Sequence, residues 1–239
     1  MCFDTILTVL NQLQKDLYKL KNPDKAKILS RFFKTGKGQY GEGDIFLGIT
    51  VPVQRKVVGK YINLTLKETQ RLIESKIHEH RLVAILILVE KYKKAGPGKK
   101  KEIVDFYLKN TKNINNWDLV DLSAEKILGE FLLDKNKNLL YRLSKSENLW
   151  ERRIAILATF QFIKNKNFTD ALKIYKLALK DKHDLIQKAV GWMLREIGKR
   201  NPEAETEFLN KHYKNMARTT LRYAIERLDE KKKKYYMRK

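Results

Sequence analysis

Trp117 and Asp121 lie four residues apart in the run Asn115-Asn116-Trp117-Asp118-Leu119-Val120-Asp121. On a helix that spacing sets an indole and a carboxylate one above the other. The chain around them carries 51 Lys and Arg against 28 Asp and Glu, a net charge of +23. An acid kept beside an aromatic on a protein that attracts anions suits a substrate that is polyanionic overall and cationic at one point. At about 100° per residue, the helix from Asn116 buries Val120, Ala124, Ile127 and Phe131, with Trp117 and Asp121 at the border of that face. Asp121 is therefore expected to be partly sheltered. Spacing alone leaves the commoner arrangement open, a core tryptophan and a first-turn acid favoured by the helix dipole.

Two further helices carry candidate groups. In the helix 184–200, Ile186, Ala189, Val190, Met193 and Ile197 define the core face, and Trp192 falls away from it onto a stripe with Lys188, Arg195 and Lys199. An indole among cations packs on sugar or base while its neighbours neutralise phosphates; a tryptophan at an interhelical contact is the alternative. In the helix 147–164, Trp150, Ile154, Leu157 and Ala158 face inward, leaving Arg153 at the edge and Arg152 farther out. An edge arginine can be pinned by packing and aimed at a phosphate, or paired with an acid such as Asp121.

The elements that position these groups read as helices throughout. Apolar residues recur at helical spacing, as in Ile6, Leu7, Leu10, Leu13, Leu17 and again in Ala84, Ile85, Leu88, Val89, Tyr92, and no comparable strand signal appears. Asn22-Pro23-Asp24 and Asn201-Pro202-Glu203 place an N-cap before a first-turn proline, and Thr65 to Glu68 is a capping box. The pattern predicts helices near 3–20, 24–34, 52–62, 66–76, 79–94, 99–110, 116–131, 136–144, 147–164, 168–180, 184–200, 203–212 and 217–228. Short links between such helices suit a globular bundle or stacked pairs of the HEAT type. One domain over 1–239 is expected, with 229–239 as a basic tail built on Lys231 to Lys234, Arg238 and Lys239.

Composition excludes several classes. A pI near 9.9 points to nucleic acid or an anionic membrane, while 43% hydrophobic residues argue against disorder. No segment approaches the ~20 apolar residues of a membrane span, and Met1-Cys2-Phe3-Asp4 lacks the basic start of a signal peptide. A cytoplasmic protein of a bacterium or archaeon is expected, as a monomer, since no spare apolar helix face demands a partner. Cys2 is the single cysteine, and His78, His80, His183 and His212 show no metal-ligand spacing, with His78 and His80 pointing to different helix faces. Neither metal nor cofactor is expected. The loop Gly36 to Gly43 lacks the pattern of a phosphate cradle and reads as a flexible connector, and Lys91 to Lys101 as a basic turn.

Taken in order, Phe46-Leu47-Gly48-Ile49 with Pro52 and Arg55, Asn116 to Asp121, Leu149-Trp150-Glu151-Arg152-Arg153 and Ile186 to Glu196 resemble the AlkD-like DNA alkylation repair family, the HEAT-repeat alkylpurine DNA glycosylases. The resemblance implies an all-α solenoid, a right-handed superhelix of antiparallel helix pairs with a concave basic face for double-stranded DNA containing alkylated bases. It implies that Asp121 is the catalytic carboxylate, that Trp117 and Trp192 contact the deoxyribose of the lesion, and that Arg153 binds the adjacent backbone. Arg55, Lys188 and Arg195 are implied as duplex contacts. Where the family has a tyrosine near the lesion, Ser30-Arg31-Phe32-Phe33 supplies Phe32, so a hydroxyl contact is absent there. The family further implies hydrolysis of the N-glycosidic bond while the base is still stacked, with room for bulky adducts. A non-catalytic repeat protein that binds branched or distorted DNA is the alternative on the same basic surface.

Overall fold

Every helix start that the caps predict is built in the computed structural model, which describes residues 2–238 and their side chains from residue 9 onward. The side chains of Cys2, Ile6 and Leu7, and the whole of Met1 and Lys239, lie outside the described residues. Asn22 caps through its side chain onto the Lys25 amide, Asn201 onto Ala204, and Thr65 and Glu68 close both halves of their box. Among the described residues there is no strand, only one isolated parallel bridge between Ile45 and Ile77. No described helix is long and apolar enough to cross a membrane.

The chain packs as two compact units, Met1–Ser123 and Ala124–Lys239. The first holds α1 (Cys2–Lys19), α2 (Pro23–Phe32), α3 (Val51–Tyr61), α4 (Leu66–Ile73), α5 (His78–Lys94), α6 (Pro97–Lys109) and α7 (Trp117–Asp121). Its centre is α5, against which α3, α4, α6 and α7 pack. The run Leu82 to Val89 is apolar on all sides, and every one of those side chains is buried, as expected of a helix enclosed by others.

The second unit opens with a π-helical turn, Glu125–Gly129, continuing into α8 (Glu130–Leu132). There follow α9 (Asn138–Leu143), α10 (Leu149–Ala158), α11 (Phe160–Lys164), α12 (Thr169–Ala178), α13 (Asp184–Gly198), α14 (Pro202–His212), α15 (Arg218–Ile225) and α16 (Glu230–Met237). Here α13 is central and meets α10, α11, α12, α14 and α15. Its predicted core face is the buried one, Ile186, Ala189, Val190, Met193 and Ile197 all being inaccessible. Gly191 brings α13 close to α15, because a Cβ there would run into the Thr220 carbonyl oxygen and the Tyr223 Cβ. Gly191→Ala is expected to push the helices apart and cost about 1–3 kcal/mol, read as a lower urea midpoint at unchanged slope.

Three elements depart from the periodicity. The helix expected over 116–131 stops at Asp121 and resumes as the π turn, and that over 147–164 breaks at Thr159. In both places a hydroxyl bonds back to the helix, Ser123 Oγ to the Leu119 carbonyl at 2.6 Å and Thr159 Oγ1 to that of Ile156 at 2.6 Å. The basic tail is a helix, α16, capped by Asp229 on the Lys232 amide and anchored by the buried Tyr236.

Candidate functional site

Residues 44–49 are fastened to the start of α5. Glu79 is 1% exposed, and its carboxylate accepts from the backbone amides of Leu47 at 2.9 Å, Gly48 at 2.8 Å and Ile49 at 3.2 Å. Three converging amides form a small anion cradle. Gly48 turns there with φ +84°, and a Cβ would strike the Asn22 carbonyl oxygen. The Asn22 amide donates to the Leu47 carbonyl at 2.8 Å, and the His78 amide to that of Ile45 at 2.8 Å. The Phe46-Leu47-Gly48-Ile49 motif thus fixes one ring, that of Phe46.

From Phe46 the rings stack in series. Phe46 lies on His78 at 4.5 Å and 20°, and on Phe33 at 5.1 Å and 18°; Phe33 lies on Trp117 at 5.0 Å and 17°. Trp117 is half-buried at the start of α7, where Asn116 Oδ1 accepts from its amide at 2.8 Å. Phe32 stands edge-on to it at 5.8 Å and 78°, and with 62% of its surface exposed it leaves an uncovered ring beside the indole. The border position predicted for Trp117 is the one it occupies.

Beneath the stack lies a buried charge cluster. His78 Nε2 is 2.8 Å from Asp118 Oδ2 and its Nδ1 3.4 Å from Asp44 Oδ2, while Arg81 pairs with Asp44 at 2.6 Å. Burial acts to lower the His78 pKa, but the Asp118 charge and hydrogen bond, with that of Asp44, raise it to about 9. Asp44, in spite of burial, is held below the usual carboxylate range by His78 and Arg81. His80 does face another way: burial, with Arg81 adding to it, pushes it down to about 4, and its Nδ1 meets Ser75 Oγ at 3.0 Å.

Asp121 closes α7, half-buried as expected. Behind it Tyr107 is fully buried, its phenol 2.9 Å from Ser123 Oγ. Burial pushes that phenol up, and the Asp121 charge adds to the shift. A carboxylate in such half-shelter is screened less than one in open water.

In the second unit Trp192 is half-buried on α13, 6.2 Å from Phe160. Its neighbouring cations are engaged within the chain. Lys188 pairs with Asp184 at 2.9 Å, Arg195 with Glu226, and Lys199 with Glu196. Arg153 departs from the edge position: it is only 5% exposed, because its guanidinium donates to the Leu185 carbonyl at 2.6 Å and links α10 to α13. Arg152 pairs with Asp181 at 2.7 Å and binds the Ser146 and Glu147 carbonyls. Arg55 is exposed on α3 in the first unit.

Sequence reading missed Phe33, Asp44, Glu79, Arg81 and Asp118, and gave His78 no role. One signal was present, since His78-Glu79-His80-Arg81 puts four polar side chains at the head of a helix that is otherwise apolar, and all four are buried.

A family model described as DNA alkylation repair enzyme matches residues 13–228. No curated protein is matched by the chain. Among solved structures, a predicted DNA alkylation repair enzyme from Enterococcus faecalis is 20% identical with a TM-score of 0.68, covering 88% of this chain and 97% of that one. AlkD2 from Streptococcus mutans is 19% identical with a TM-score of 0.59, covering 94% and 99%. The protein smu.31 from Streptococcus mutans UA159 is 20% identical with a TM-score of 0.57, covering 94% and 100%. At these identities the likeness shows the fold, an all-α arrangement of HEAT-like helical repeats.

Proposed function

The chain belongs to the family of DNA alkylation repair enzymes, and on that premise we propose that it is a monofunctional DNA glycosylase releasing cationic N3- and N7-alkylpurines from duplex DNA. The observation that carries the reading is Asp121, half-sheltered one turn after an indole that three stacked rings hold in place. An alkylated purine that already bears positive charge leaves C1′ without the protonation a normal base requires, so no general acid is needed. The remaining task is to stabilise the oxocarbenium-like sugar. Asp121 supplies the anion and orients the attacking water, and the face of Trp117 favours the cationic sugar and base. Trp192 is proposed as a DNA contact of the second unit.

Double-stranded DNA is the partner in this reading, gripped through its phosphates by the +23 chain. Arg55 is exposed and available as a duplex contact. Lys188 and Arg195 would exchange or share their present carboxylate partners with phosphate, and Arg153 would act from a largely buried position. Neither metal nor cofactor enters the step. The glycosidic bond is hydrolysed while the base is stacked, unlike in glycosylases that extrude the base.

The test is chromatography of bases freed from methylated duplex DNA. Free methyladenine and methylguanine, with abasic sites left in the strand, are expected; no release above the spontaneous rate would sink the reading.

A second reading has Phe32 in its favour, a largely exposed ring without a hydroxyl at the edge of Trp117. A non-catalytic protein that binds branched or distorted DNA would use such a ring as a wedge between bases. Tight binding to junctions or bulges with no base release identifies that protein.

A further inference from the structure

We propose that His78 is a positioning residue for the Asp121 site: bridging Asp44 and Asp118 beneath the Phe46–Phe33–Trp117 stack, it holds α7 in register, and with it both the indole and the carboxylate. The role in catalysis rests on the reading of Asp121 given above; the clamp itself is tested without it.

A five-residue helix cannot hold its own geometry. With a single turn, α7 has little internal hydrogen bonding to offset the cost of fixing its backbone. Its orientation must come from tethers to other elements, among them the Ser123–Tyr107 contact just beyond its end and Asp118 on His78. The second reaches both ends of the aromatic series, because His78 also lies flat on Phe46.

Charge balance gives the clamp its strength. The groups that face His78 are Asp118 from α7, Asp44 from the segment before Phe46, and Arg81 one turn along α5. Glu79 is turned instead to the amides of Leu47, Gly48 and Ile49. Two buried carboxylates are matched by Arg81 and His78 only while the imidazole is protonated, and an unmatched buried carboxylate is costly. Asp44 and Arg81 also line a surface cavity of about 320 Å³, which gives protons a way to the cluster.

With its pKa raised from 6.5 to about 9, His78 is a cation at neutral pH. Its contribution to stability is complete below about pH 6.5 and is lost as pH rises through 9. Above that point the clamp opens, and Trp117 at the far end of the stack reports it.

The experiment follows Trp117 emission against pH, taken as the difference between the wild type and Trp117→Phe. A step with its midpoint near 9 is expected, absent in His78→Gln. In Asp118→Asn, which keeps the shape and removes the charge, the midpoint moves down by about 1–3 pH units. No step in the wild type, the same step in His78→Gln, or an unmoved midpoint in Asp118→Asn each overturns the clamp. Base release is measured in parallel. His78→Gln is expected to lower kcat by roughly 10- to 100-fold with KM within a few-fold, as for a misplaced but intact catalytic group; an unchanged kcat beside a lost emission step overturns the positioning role. Absence of base release by the wild type overturns the glycosylase reading instead, and the emission titration still decides the clamp.

Discussion

Asp121→Asn lowers the rate of base release from methylated duplex DNA by about 10²–10³-fold while DNA affinity stays the same or tightens. That loss corresponds to about 3–4 kcal/mol of transition-state stabilisation, the usual worth of one preorganised group facing developing charge. The substitution keeps the shape of the side chain, so α7 loses a charge and no packing. It removes an anion that repels phosphates in the ground state and attracts the sugar only as the glycosidic bond breaks. The effect is therefore confined to kcat, and single-turnover kinetics with saturating enzyme isolate it from binding. The dependence of affinity on salt should not change, because Asp121 releases no counterions on binding. Equal release by both proteins would remove Asp121 from the reaction.

The Trp117–Asp121 pair was legible in the sequence, its proposed role being implied by the family resemblance, and the place of His78 was not; the range of each interaction is the reason. Trp117 and Asp121 share one helical turn, so spacing alone relates them. The half-burial of Asp121 follows from its place at the border of the face that buries Val120, Ala124 and Ile127. Phe131, expected on that face, is only half-buried, with Lys135 Nζ 3.3 Å from its ring. The pairs His78–Asp118 and Leu47–Glu79 join residues 40 and 32 apart in sequence. Periodicity within one element carries no information about such pairs.

The same limit accounts for the two helices that break. Apolar spacing over 116–131 and 147–164 is continuous, and the interruption comes from Ser123 and Thr159, each bonded to a fully buried tyrosine of another helix. Tyr107 reaches Ser123 and Tyr175 reaches Thr159, so each unit carries the same device once. A serine or threonine that bends a helix locally is common; what selects these two is a phenol that needs a partner once it is buried. The caps, by contrast, were legible, because Asn22, Thr65 and Asn201 act within three residues of themselves.

Removal of the Glu79 carboxylate is the substitution expected to cost most stability. Glu79→Ala leaves the amides of Leu47, Gly48 and Ile49 without their acceptor in a place water does not reach, since Leu47 and Ile49 are 7% and 4% exposed. Each stranded donor costs about 1–3 kcal/mol, and with partial relaxation the sum is on the order of 4 kcal/mol, read from urea unfolding. Glu79→Gln falls between, because one oxygen still accepts while the new NH2 group, itself a donor, faces a backbone N–H that the lost oxygen had accepted from. A loss below about 1 kcal/mol for Glu79→Ala would mean that the segment finds other partners. The segment carries Phe46, the ring that joins His78 to Phe33, so a loosened segment disorders the stack and base release falls with stability. Asp121→Asn is the reverse case, with activity lost and stability kept. A protein in which both variants lose activity, but only Glu79→Ala loses stability, has its chemistry on α7 and the support for that chemistry at the start of α5.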